Sequence, residues 1–208
     1  MAGDDLSAVG RFLYEAGTLR HARRIGWWMA GVRDPESVAE HSWRTALIAT
    51  IIAKLEGADP ARAAYLAVWH DTQESRTGDV NHLGKKYAPA GDPQEVTADQ
   101  TAGMPEVLAS AVHELIAEYE AKESPEAVCA RDADKLECVL QGIEYKAQGH
   151  FRRTHDTLTA PRHSRSRPMR RAVRRPGHAA ITTVAGIAQR QRVDAPPTTA
   201  STSGCGTA

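Results

Sequence analysis

Long apolar runs are missing from this chain. No stretch of about 18 apolar residues occurs anywhere in its sequence, which argues against a membrane-spanning helix. Cysteine is almost as scarce: Cys129, Cys138 and Cys205 are odd in number and show no C-x-x-C spacing. That argues against a thiolate metal site or a catalytic cysteine and fits a reducing compartment. The opening MAGDDLSAVG lacks the basic-then-apolar layout of a signal peptide, so the expected location is the cytoplasm. No alternating strand pattern of any length appears before residue 150. The 208 residues suffice for one domain with a substantial core plus an appendage, and the expected fold is an all-α bundle.

A formal net charge of zero hides an asymmetry. Residues 151–208 hold 11 arginines, no lysine and 2 acids, Asp156 and Asp194, while residues 1–150 carry the compensating acidic surplus. Periodicity stops at the same junction. FRRTHDTLTAPRHSRSRPMRRAVRRPGHAA has few large apolar residues, ITTVAGIA is a weak apolar island, and APPTTASTSGCGTA is low in complexity. Such a segment buries too little to offset its ordering entropy. The expected organisation is a helical bundle over 1–150 and an irregular Arg-rich tail over 151–208. That tail reads either as disorder following a frameshift in a GC-rich gene or as a genuine polyanion-binding extension.

Helix signals are dense before residue 150. Leu6 to Ala16 reads as a helix stopped by Gly17. Ser37-Val38-Ala39-Glu40 is a capping box opening a helix to about Leu55, with Gly57 as its stop. Trp43, Leu47, Thr50, Ile51 and Lys54 share one face of it, mostly apolar, and are expected to face the core. Asp59-Pro60 opens a helix ending just after His70-Asp71. Thr77 to Thr101 reads as a long loop. Pro105 starts a helix with Leu108, Val112, Leu115, Ile116 and Tyr119 on one stripe, and Ser124-Pro125-Glu126 starts another, with Leu136, Leu140 and Ile143 buried.

His70 and Asp71, side by side after the apolar run AYLAVW, are the most informative pair. Neutral imidazole and carboxylate are both good ligands for first-row divalent metals. Glu74 follows within one turn and shares their face. His41, in the first turn of the capped helix, and Asp134, about 200° around its helix from Leu136, complete a candidate set of metal ligands. Two imidazoles and two carboxylates suit one ion with positions left for water.

The order His, His-Asp, Asp resembles the HD-domain metal phosphohydrolases. RIGWWMAGVRDPESVAEHS, HDTQESRTGDV and DADKLE together resemble their 5′-deoxynucleotidase branch. The resemblance implies an HD-domain helical bundle and a metal held by His41, His70, Asp71 and Asp134. It implies catalytic carboxylates at Glu74 and Asp79 and a substrate-phosphate arginine at Arg24. Trp27, close behind, is a candidate for flanking the base or sugar, or else for packing. Also implied are one divalent transition metal (Mn, Fe, Co, Ni or Zn), a nucleotide substrate and a homodimer. The resemblance is expected to end near Gly149. The leading expectation is a metal-dependent hydrolase of (deoxy)nucleoside 5′-monophosphates. Two others stand beside it: hydrolysis of another phosphoester, such as a cyclic nucleotide or a guanosine polyphosphate, and polyanion binding through the tail.

Overall fold

A computed structural model of the chain describes residues 6–88 and 91–150; the Arg-rich tail expected over 151–208 lies outside the described residues. Among the described residues there are no strands and eight α-helices: α1 (Leu6–Ala16), α2 (Ile25–Met29), α3 (Val38–Glu56), α4 (Pro60–Trp69), α5 (Glu74–Thr77), α6 (Pro93–Thr101), α7 (Glu106–Ala121) and α8 (Pro125–Ala147). None is long and apolar enough to cross a membrane.

The start of α3 is built as its sequence demands. The Ser37 side chain accepts from the Glu40 amide, and the Glu40 carboxylate accepts from the Ser37 amide. Gly57 ends the helix at φ 75°, a left-handed conformation that glycine adopts without strain. The short bridge between Arg23 and Ser37 then ties the preceding segment to this cap, with the Arg24 amide donating to Glu36 O (3.0 Å) and the Val38 amide to Ala22 O (2.9 Å).

The core lies where α3, α4, α7 and α8 meet. Its centre is made of alanines: Ala49, Ala53, Ala63, Ala67, Ala130 and Ala133 are wholly buried. Small side chains at a crossing let helix axes approach closely. Leu66, Leu115, Tyr119 and Leu136 fill the rest. α3 runs against α8: His41 and Arg44 at its start meet Glu137 and Glu144 late in α8, and Asp59 beyond its end bonds Glu126 at the start of α8.

Three local expectations are overturned. The face of α3 expected in the core is instead exposed: Trp43 is 65% accessible, Leu47 47% and Ile51 55%. α3 is apolar almost all round, so its own pattern cannot select a buried face. Neighbours α4 and α8 select the side carrying Thr45, Ala49, Ile52 and Ala53. Leu108 is likewise largely exposed on α7. Within the expected loop 77–101 lies α6, opened by the same Asp-Pro device as α4, with Asp92 accepting from the Gln94 and Glu95 amides. Its buried side is polar. Gln73 donates to Thr97, and Gln100 donates to Thr72 O and Glu15. A helix that buries hydroxyls and amides shows no apolar period.

Replacing Ser37 with Ala should cost about 1 kcal/mol, the usual loss for an N-cap. In a domain of this size that lowers the melting temperature by about 2–4 °C, which calorimetry would register.

Candidate metal centre

Three chain segments deliver the candidate ligands to one place. His41, one turn into α3, is fully buried. His70 ends α4, and Asp71 begins the turn into α5. Asp134 projects from α8. The Nε2 of His41 lies 3.2 Å from Asp134 Oδ1 and 3.8 Å from Asp71 Oδ2, and the Nε2 of His70 lies 3.1 Å from the same Asp71 oxygen. Donor atoms bound to one ion at about 2.0–2.2 Å stand about 3 to 3.5 Å apart, so this spacing is close to that of a coordination shell.

Orphaned atoms test the fit of a metal ion. His70 Nδ1 lies 2.7 Å from Ala67 O. A carbonyl only accepts, so this nitrogen carries a proton and Nε2 is the ring nitrogen left to face an ion. That nitrogen and Asp71 Oδ2 are both buried without a hydrogen-bond partner, as is Glu74 Oε2. Two acceptors 3.1 Å apart repel unless a positive charge sits with them, either a proton or a cation. His41, His70 and Asp71 form a group whose donor atoms are close enough to share an ion. The donor set fits a divalent transition metal, with side chains His41, His70, Asp71 and Asp134 to hold it.

Electrostatics follow from packing carboxylates and imidazoles together. Burial opposes charge on His41, but its bonds to Asp134 and Glu137 outweigh this and push it up to about 9. His70 is also raised: burial again works against the charge, and Asp71 overcomes it. Asp71 itself is held well below the usual carboxylate range, since His70 and Arg24 prevail over the burial cost. Glu74 goes the other way. Burial, then the negative charges of Asp71 and Asp79, push it up to about 9, so Glu74 holds a proton at neutral pH.

Arg24 closes one side. Its Nη1 stands 3.5 Å from both Asp71 Oδ2 and Asp79 Oδ1, and its Nη2 is 3.4 Å from Cys138 Sγ. The second oxygen of Asp79 accepts from the Ile25 amide at 2.6 Å. Asp79 therefore grips the Arg24–Ile25 corner with both oxygens.

Residues 16–172 match the HD domain family. The chain belongs to that family. The human 5′-deoxynucleotidase HDDC2 is 32% identical over 152 residues, covering 72% of this chain and 74% of the human one. The 5′-deoxynucleotidase hdd1 of Schizosaccharomyces pombe is 30% identical over 151 residues, covering 70% and 75%. Among solved structures, a conserved hypothetical protein from Pyrococcus furiosus superposes with a TM-score of 0.56 at 30% identity, over 67% of this chain and 85% of that one. The HD match runs past Gly149 into the Arg-rich segment.

Not every expected site residue of this HD domain joins the cluster. Trp27, expected as a candidate for the substrate, is turned onto α8. Its indole nitrogen donates to Glu36 (3.0 Å), and its ring meets Tyr145 edge-on at 5.4 Å. A Cβ on Gly142 would stand 3.2 Å from that ring, so the glycine makes room for it. These contacts give Trp27 a packing role, the alternative that its pattern left open.

Two residues around His41 have no counterpart in the expected set. Glu137 is wholly buried and lies 2.5 Å from His41 Nδ1, and Arg44 grips its other oxygen. One signal was available, a glutamate one helical turn after Asp134, but a single acidic residue on a long helix does not distinguish itself. Cys138 completes a second cluster with His41 and Glu137. Burial pushes its thiol up to about 12, which leaves it protonated and a poor ligand.

Changing Asp71 to Ala removes the carboxylate that both imidazole Nε2 atoms face. The variant should keep its helical circular dichroism and lose most of the Zn²⁺ or Mn²⁺ that elemental analysis finds in the parent. Equal metal content in the two proteins would refute the ligand assignment.

Proposed function

We propose that this protein is a metal-dependent phosphohydrolase that releases phosphate from nucleoside 5′-monophosphates, deoxynucleotides among them, in the cytoplasm. The observation that carries the reading is the buried meeting of His41, His70 and Asp71, whose donor atoms are close enough to share one ion, directly beside an arginine and a proton-holding carboxyl. Its relatives in human and fission yeast are named 5′-deoxynucleotidases. A free thiol at Cys138, with no disulfide among the described residues, agrees with a reducing compartment.

A divalent cation held by His41, His70, Asp71 and Asp134 would lower the pKa of a bound water and polarise a phosphate oxygen. The chain's own groups do the rest. Arg24 lies on the rim of the ligand cluster and binds the phosphate, offsetting charge that builds on its oxygens. Asp79 keeps Arg24 in place, since both of its oxygens are engaged at that corner. Water adds to phosphorus opposite the 5′ oxygen and the P–O5′ bond breaks. The water gives up a proton and the departing oxygen gains one. Glu74, buried within range of the charges of Asp71 and Asp79, starts with a proton, gives it to the departing O5′ and takes back the one that the water releases.

The test is phosphate release from a panel of deoxy- and ribonucleoside 5′-monophosphates after metal stripping, with Mn²⁺, Co²⁺ or Zn²⁺ returned singly. Release should reappear with metal. Changing Arg24 to Ala should lower kcat/KM by about 100-fold or more, and changing Glu74 to Gln should lower kcat by about 100-fold or more. No release with any metal would refute the proposal.

The homodimer that the resemblance implies would rest on the exposed stripe of α3. Trp43, Leu47, Ile51 and Leu55 stand one turn apart along one face of that helix. A two-fold axis across such a face makes it self-complementary. Light scattering should then give twice the chain mass for the parent and the single mass for an Ile51→Glu variant. A parent of single mass would refute this assembly.

A further inference from the structure

His41 and His70 face the same centre, yet their rings are aimed by different means. His70 Nδ1 is bound by Ala67 O at 2.7 Å, a backbone contact independent of any side chain. His41 Nδ1 instead meets a wholly buried side chain, Glu137, whose Oε2 lies 2.5 Å away. The other oxygen of Glu137 accepts from Arg44 Nε (2.9 Å) and Nη2 (2.6 Å). Arg44 is anchored in turn to Glu144 Oε2 (2.8 Å) and Gln141 Oε1 (2.5 Å), both on α8. Glu137 is thus spanned between a guanidinium and an imidazole.

We propose that Glu137, locked by Arg44, is the positioning residue that fixes the tautomer and ring angle of His41, so that its Nε2 lone pair faces Asp71 and Asp134. The inference rests on the metal-centre reading and extends it to residues that touch neither metal nor substrate. The argument is one of donors and acceptors. A guanidinium stays protonated and can only donate, so the oxygen that it grips must accept. With a carboxylate at position 137, the second oxygen also accepts, and His41 must keep a proton on Nδ1. Nε2, aimed at the centre, is then the nitrogen that gives up its proton to a metal. Partners of this kind to a ligating imidazole typically contribute about 10–100-fold in metal affinity.

A Gln at position 137 reverses the logic at nearly constant shape. Arg44 claims the one amide oxygen, the amide NH₂ turns toward His41 Nδ1, and the ring is driven to carry its proton on Nε2, where it blocks the metal. Removing the guanidinium in the same background frees the amide to turn round. Arg44→Met/Glu137→Gln should therefore bind metal more tightly than Glu137→Gln alone, although it has lost one more polar group. A role confined to packing predicts the opposite order.

The experiment is Zn²⁺ and Co²⁺ affinity by competition with a chromophoric chelator, for the parent, Glu137→Gln, Arg44→Met and the double variant. Melting of each chelated protein runs in parallel. We expect Glu137→Gln to lose about 10–100-fold in affinity, Arg44→Met to lose less, and the double variant to regain part of the loss. ¹⁵N spectra of the zinc-loaded parent should show His41 protonated at Nδ1. Glu137→Gln binding within twofold of the parent overturns the inference by itself, whether or not the double variant folds, and so does a folded double variant that binds no better than Glu137→Gln. A parent that binds neither metal overturns the metal-centre reading beneath it, a separate result.

Discussion

Burying several acidic side chains beside two imidazoles is the constraint on which the rest of this structure depends. Asp71 from the α4–α5 turn and Asp134 and Glu137 from α8 converge on His41 and His70, and Glu74 is buried within range of the charge of Asp71. Charges taken out of water are costly unless they are paired. The surroundings divide the load. Arg44 neutralises Glu137, Arg24 spans Asp71 and Asp79, and Glu74 gives up its charge by keeping a proton. At their centre His41, His70 and Asp71 present donor atoms close enough to share one ion.

The fold serves this arrangement by bringing backbones close. Alanines line the crossing of α3, α4 and α8, so an imidazole on α3 reaches a carboxylate on α8 within 3.2 Å. The capping box at Ser37 also acts beyond local stability. It fixes the first turn of α3, which carries both His41 and Arg44, and the bridge to Arg23 hangs Arg24 beside that turn. One short stretch thus aligns His41, the Arg44 that grips Glu137, and Arg24.

Exposed apolar residues on α3 have a different meaning. The helix carries Trp43, Leu47, Ile51 and Leu55 on the face away from α4 and α8, while its core face sets Ala46, Ala49 and Ala53 beside Ile48 and Ile52. Apolar side chains on both faces are why the pattern of α3 alone cannot select its buried side.

What the sequence by itself determined is local or carried by order along the chain. Caps and stops read correctly because they depend on neighbouring residues: Ser37 with Glu40, Gly57, and Asp59 with Pro60. That His41, His70-Asp71 and Asp134 come together was legible because they combine rare residue types in a recognisable order. α6 was not, because its buried face is made of Thr97, Gln100 and Thr101 and has no apolar period. Only the tertiary structure decided which face of α3 is core, that Trp27 packs on Gly142 and Tyr145, and that Glu137 stands behind His41. Each of these is a pairing between segments far apart in the chain. Such a pairing is set by how helices stack and by where a buried charge finds its partner, and no periodicity within either segment encodes it.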